Sequence, residues 1–225
     1  MPNTSTQADR FEGVSTTGGH QSPQRHERFY FPDGNVIFRA EDVLFNVHCY
    51  FFQQYSRGLA GMFIAAQRDP VEGSSDENPI TLVQTSAVDF SRLLCIIYPH
   101  SFAEAELTTT EEWTSVLRLA HRWQSDSIVD LVTNTLPRIA SLVDQIALAR
   151  QYELSGIIGP AARLLCIRAE PLSLTETRRL GADAGHAIWR LRERYRSGWN
   201  NRAAVVQEGD ERLMQAFDEL KLDST

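Results

Sequence analysis

The sequence predicts an α+β fold, in which a small β-sheet caps one end of a cluster of α-helices and an all-α extension follows. Three observations carry that expectation. Residues 35–39 and 43–47 alternate apolar side chains between two faces, the period of a half-buried strand. From Cys49 onward the alternation stops, and apolar residues recur at the three- and four-residue spacings of helices. Helical patterning then continues to residue 195 with no break in composition, so helices outnumber strands.

Residues 1–27 are rich in Ser, Thr, Gln, Gly, Asn and Pro with almost nothing to bury, and are expected to form a disordered tail. The aromatic run Phe29-Tyr30-Phe31 then stands ready to cover the edge of a sheet. In the first strand Val36 and Phe38 share one face and Ile37 the other. In the second, Val43, Phe45 and Val47 oppose Leu44, Asn46 and His48. Ala40-Glu41-Asp42 is short enough to join the two as a hairpin, although it lacks Asn-Gly. Beyond them Phe52, Leu59, Met62 and Phe63 form a helical stripe, with Ser56 placed as an N-cap between two short helices.

Residues 67–79 read as an acidic surface loop, and residues 80–83 as a third short strand. Ser86 caps a helix whose apolar face is Phe90, Leu93, Leu94, Ile97 and Tyr98, stopped by Pro99. Thr109 or Thr110, followed by Glu111-Glu112, opens the next helix with its acids in the first turn, and Trp113, Val116, Leu117, Ala120 and Trp123 line its inner face. Ser125 or Asp126 starts another, expected to bury Ile128, Val129, Leu131 and Val132 and to end near Pro137. In the extension, residues 138–199, one stripe is Leu142, Ile146, Ala149 and Leu154, and another is Ile157, Ala161, Leu164, Leu165 and Ile167, punctuated by Gly156 and Pro160. Helices over 172–180 and 184–195 follow, the latter carrying Ile188, Trp189 and Leu191. Residues 200–225 read as a linker and an amphipathic helix with Val206, Leu213, Phe217 and Leu220 on one side.

The spacing Phe45-x-Val47-His48-x-x-x-Phe52-x-x-x-Ser56-x-x-Leu59-x-x-Met62-Phe63 resembles the signature of the BTB/POZ domain. The resemblance covers about 28–137, taking in Leu117, Ala120, Trp123 and Ile128 of the closing helix pair. It implies a protein-protein interaction module that self-associates as a homodimer, with Val47, His48, Phe52, Ser56, Leu59, Met62 and Phe63 in structural roles. One group of the family are substrate adaptors that bind a cullin-3 scaffold of a ubiquitin ligase. Those members carry an apolar-x-Glu motif after the third large helix, where Phe102-Ala103-Glu104 stands here. A second group are transcriptional regulators with a charged pair in the dimer groove, at the positions of Asn35 and Cys49, where this chain has no charge. No zinc-finger or propeller pattern follows, and the chain resembles the stand-alone members found in fungi. A homodimeric scaffold or transcription-related regulator unconnected to ubiquitin is the alternative.

Composition narrows the function classes. A net charge of −7 repels nucleic-acid phosphates. Cys49, Cys95 and Cys166 are too far apart for a metal or redox pair, no apolar run approaches the ~20 residues of a membrane span, and no signal-peptide core is present. The sequence therefore points to the cytoplasm or nucleus, with no cofactor, no metal, no nucleic acid and no membrane. No nucleophile elbow, phosphate loop or zinc-protease helix occurs. An enzyme would need scattered groups such as His48, His121 and Asp126 to meet in one pocket. His48 and its neighbour Cys49 cannot share a proton, and the run Arg190, Arg192, Arg194 and Arg196 is expected to be a solvated face.

Overall fold

The computed structural model describes residues 22–58, 72–101, 104–154 and 156–197, with side chains to residue 193. The hairpin forms as its alternation predicts. Strand β2 (Val36–Ala40) pairs antiparallel with β3 (Val43–Val47) across the two-residue turn Glu41-Asp42, with Phe38 opposite Phe45. Glu41 takes a positive φ of 54°, the left-handed conformation that Asn-Gly turns reach more cheaply. Its side chain accepts a hydrogen bond from the Ala87 amide at 3.0 Å, so this turn residue also caps a helix.

The sheet has four strands in the order β1-β3-β2-β4, with β1 (Gln24–Tyr30) parallel to β3 and β4 (Ile80–Thr81) parallel to β2. Here the expected tail boundary is corrected, because β1 begins at Gln24, inside the segment read as tail. The missing signal is burial, since four of the seven residues of β1 are charged or His and only Phe29 is fully buried. Backbone pairing and polar side-chain bonds, not an apolar pattern, hold the strand. Residues 1–21 lie outside the described residues. The strand pairs within its own chain, and Phe29 serves as a lid over the core.

The inner face of the sheet carries an aromatic cluster. Phe90 packs edge-on against Phe38, Phe45 and Trp123, with ring centroids 4.9–5.9 Å apart, and is tilted against Phe52. Contrary to the half-buried expectation, the outer face is covered too, with Ile37, Leu44 and Asn46 buried. Tyr30 and Arg25 lie in register with Asn46 and Leu44, and both bond to Asp76, so an acid of the 72–79 loop ties down that face.

Helix α1 (Cys49–Tyr55) leaves β3, and its first amide is capped by the Asn35 side chain at 2.8 Å. Helices α2 (Ala87–Ile97), α3 (Thr110–Arg122) and α4 (Asp126–Ile139) pack in sequence. Ser86 caps α2 as predicted, and Thr109 with Glu112 closes a reciprocal capping box on α3. Ser125 precedes α4 without a side-chain cap bond. Pro137 does not end α4, which runs through it to Ile139. Of the four residues expected inside α4, Ile128 and Val132 are buried, Val129 is partly so, and Leu131 is exposed.

The extension forms four helices, α5 (Leu142–Gln151), α6 (Ile158–Ile167), α7 (Leu174–Leu180) and α8 (Ala182–Ser197). Helices α5 and α8 each touch both α6 and α7, and α5 also packs on α4. One continuous core runs from Phe38 through Leu136 and Val143 to Ile188. Three apolar expectations are corrected here. Leu164, Ile167 and Trp189 are exposed, because α6 and α8 each bury only the side turned toward their neighbours. Arg192 is corrected in the opposite sense. It is buried and donates to the Leu165 carbonyl at 2.9 Å and the Ala169 carbonyl at 2.8 Å, satisfying the C-terminal end of α6. The expected helix over 200–225 lies outside the described residues.

Candidate interaction groove

The connection from α2 to α3 shapes a cavity of about 510 Å³. Pro99 stops α2, and the chain must then cross to Thr109 before it can resume a helix. Ile96, Leu107, Trp113 and Leu131 supply apolar lining, with Trp113 held in place by donation from its indole nitrogen to the Leu107 carbonyl at 3.0 Å. Glu104 is exposed at this cavity, and Ser101 and Glu106 add polar atoms to it. An apolar trough edged by a carboxylate can receive an apolar anchor with a nearby donor, the usual anatomy of a protein interface.

One side of the groove is fixed by charge. The Arg28 guanidinium reaches out of β1 to both carboxylate oxygens of Glu106, the Nη2–Oε1 bond being 2.9 Å. It also donates to the Tyr98 carbonyl at 2.8 Å and lies 3.8 Å from the Cys95 sulfur. Glu106 accepts the His100 amide at 2.5 Å as well. Bonding to Arg28 holds its carboxyl down at about 2, far below the usual glutamate range. Burial pushes the Cys95 thiol up, so this groove cysteine is no ready nucleophile.

The residues singled out from the sequence are distributed over several places. Phe102, Leu59, Met62 and Phe63 lie outside the described residues. Val47 and Phe52 are buried in the core. Ser56 is buried and its hydroxyl donates to the Trp123 carbonyl at 2.7 Å, stitching the end of α1 to that of α3. His48 sits at the start of α1, where its amide donates to the Tyr98 hydroxyl at 3.0 Å and its Nε2 lies 3.5 Å from Asp33. His121 packs on Tyr152 and Asp126 pairs with Arg57, so each of these groups is engaged with a partner of its own.

A different Ser–His contact escaped the sequence reading, because its members are 65 residues apart in strand and helix. His26 Nε2 lies 3.0 Å from Ser91 Oγ. Its Nδ1 accepts the amides of Arg28 and Phe29, both at 3.1 Å, so the proton of the neutral ring must sit on Nε2. That nitrogen therefore donates to Ser91, whose hydroxyl in turn donates to the Ala87 carbonyl at 2.7 Å. A histidine that already donates cannot take the serine's proton, and the contact anchors β1 on α2 without activating a nucleophile.

A second exposed feature lies on α1, where Tyr50 and Tyr55 face outward and Phe51 and Tyr55 stack in parallel at 6.5 Å. Among the described residues no cluster of His, Cys, Asp and Glu is placed to hold a metal, and no helix is long and apolar enough to cross a membrane. Residues 28–140 match the family model of the BTB/POZ domain. No curated protein matches the chain.

Proposed function

The chain belongs to the BTB/POZ family, whose domains are protein-protein interaction modules, and on that premise we propose that it acts as an adaptor docking a cullin-3 scaffold at the groove beside α3. The observation that carries the proposal is the cavity of about 510 Å³ with Glu104 exposed at it, at the position where the sequence places an apolar-x-Glu motif. An apolar side chain of the scaffold fills the trough and the carboxylate sets its orientation. The helical extension, continuous with the same core, holds the substrate at a fixed distance from the groove. The protein works by binding, without catalysis, in the cytoplasm or nucleus.

Calorimetric titration of the full chain with a cullin-3 N-terminal domain tests this. Micromolar or tighter binding is expected, weakened by tenfold or more, about 1.4 kcal/mol, in Phe102→Ala, Glu104→Ala. A folded chain that shows no heat of binding sinks the adaptor reading.

The exposed tyrosines of α1 favour a second reading, a homodimeric scaffold or regulator independent of ubiquitin. Interfaces enrich tyrosine because one ring combines a large apolar area with a polar tip. Sedimentation equilibrium at micromolar concentration decides it, a monomer mass being the outcome that removes it.

A further inference from the structure

Strand β1 does more than extend the sheet. We infer that Arg28 is the positioning residue of the groove, tying Tyr98 to Glu106 so that Glu104, two residues before that anchor, is held at the cavity. The inference rests on the reading of that groove as the docking site.

One guanidinium joins two flanks of the groove. Arg28 Nη2 reaches the Tyr98 carbonyl, where α2 has just ended, and also Glu106 Oε1, just before Trp113 and Leu107 rejoin the core. Both flanks therefore meet at a single planar group. The His100 amide adds an inner rung to the same carboxylate oxygen. Without Arg28 only the His100 amide would link this flank to Glu106, and residues 98 and 106 would regain freedom.

The clamp is itself held. The guanidinium carbon lies 4.7 Å from the centroid of the buried Phe29 ring, and the amide of Arg28 is taken by His26 Nδ1. Between Arg25 and Tyr30 the register of β1 against β3 shifts, which leaves the amides of residues 28 and 29 outside the ladder. His26 satisfies both amides, and so fixes the point from which Arg28 reaches. A lysine could match the charge but not the fork, because an ammonium cannot span Tyr98 and Glu106 in one plane.

Hydrogen exchange on the full chain reads the clamp directly. In Arg28→Ala the hydrogen-bonded amides of Tyr98 and His100 are expected to exchange about tenfold faster, while α3 and α4 keep their wild-type protection. Arg28→Lys recovers only part of the difference. Glu106→Gln keeps the shape of the side chain and removes its charge, so it gives the same local acceleration to a smaller extent and remains decisive if Arg28→Ala does not fold. Unchanged exchange at Tyr98 and His100 overturns the inference. Equal acceleration through α3 and α4 also does, since that marks general destabilisation, and so does full recovery in Arg28→Lys. Binding of the cullin-3 N-terminal domain, repeated with Arg28→Ala, should weaken about tenfold with Glu104 intact. If the wild-type chain does not bind, the docking reading falls, and the exchange measurement still decides whether Arg28 ties the two flanks.

Discussion

The domain and its extension bury their interiors by different means. In the domain a sheet and three helices close around interlocking rings, with Phe90 in contact with Phe38, Phe45, Phe52 and Trp123. In the extension the buried residues are small or aliphatic, such as Ala161, Ala162, Leu165, Ala184 and Ile188, and a buried arginine finishes the packing. Rings in fixed edge-on contact specify one arrangement of neighbours, whereas four short helices that meet through alanines and leucines need directional bonds to choose theirs. Arg192 to the α6 carbonyls, Arg168 to Glu176 at 2.8 and 2.9 Å, and Arg179 to Asp144 at 3.0 Å supply those bonds.

The sharpest way to break that comparison is Phe90→Ala. Removing a fully buried ring that touches four others should cost about 3–5 kcal/mol, and a typical domain has only about 5–15 kcal/mol of total stability. Chemical denaturation is expected to show the loss in the midpoint of the main transition. A loss below about 1 kcal/mol would mean that the cluster repacks freely, as an aliphatic core does.

Arg192→Met tests the other half and should do less. The methionine keeps part of the apolar stem, but the carbonyls of Leu165 and Ala169 lose a charged donor, at a cost of about 1.5–3 kcal/mol. The difference should stay local, with faster hydrogen exchange in α6 and α8 and little change in α2 or α3. If exchange rises equally in both regions, the extension and the domain are one cooperative unit and their contrast is only compositional.

The same contrast explains what could be read from the sequence. The hairpin, the capping of α2 by Ser86, the Thr109 start of α3 and the inner face from Trp113 to Trp123 are all local patterns, in which the deciding residues lie within four positions of each other. What sequence could not supply was direction. In Leu164-Leu165-Cys166-Ile167 every residue is apolar, and only the positions of α5 and α8 decide that Leu165 and Cys166 go in while Leu164 and Ile167 stay out. Arg192 looks like its neighbours Arg190 and Arg194 in sequence, yet it lies under the open end of α6. Strand β1 and the partners Arg28 and Glu106 were hidden by distance, since 78 residues separate a surface-looking arginine from a surface-looking glutamate.

The smallest effect separates the two regions by pH. Burial lowers the pKa of His26 from its ordinary 6.5, because the ring sits between Phe29 and Phe45. The neighbouring charges are Glu27 and Arg28, on its own strand and acting in opposite directions. On α2, across the ring, Asp89 is engaged with Arg118, and Arg92 with Ser115. A lowered histidine pKa means that the folded state prefers the neutral ring, so its contribution is complete above about 6.5 and is lost as pH falls below that value. Protonation also places a hydrogen on Nδ1, which then can no longer accept the amides of Arg28 and Phe29. The ion pairs of Glu106 in the domain and Glu176 in the extension act later. Both carboxyls stand at about 2, so their contributions hold above the ordinary glutamate value of about 4.3 and fade only as pH drops from there toward 2. Melting temperatures of wild type and His26→Gln, followed from pH 7.5 to 5, should therefore diverge from a constant offset, with the wild type falling more steeply because glutamine accepts an amide without titrating. Parallel curves would show that β1 is held by its pairing with β3 alone, and that the histidine is a passenger in the bulge.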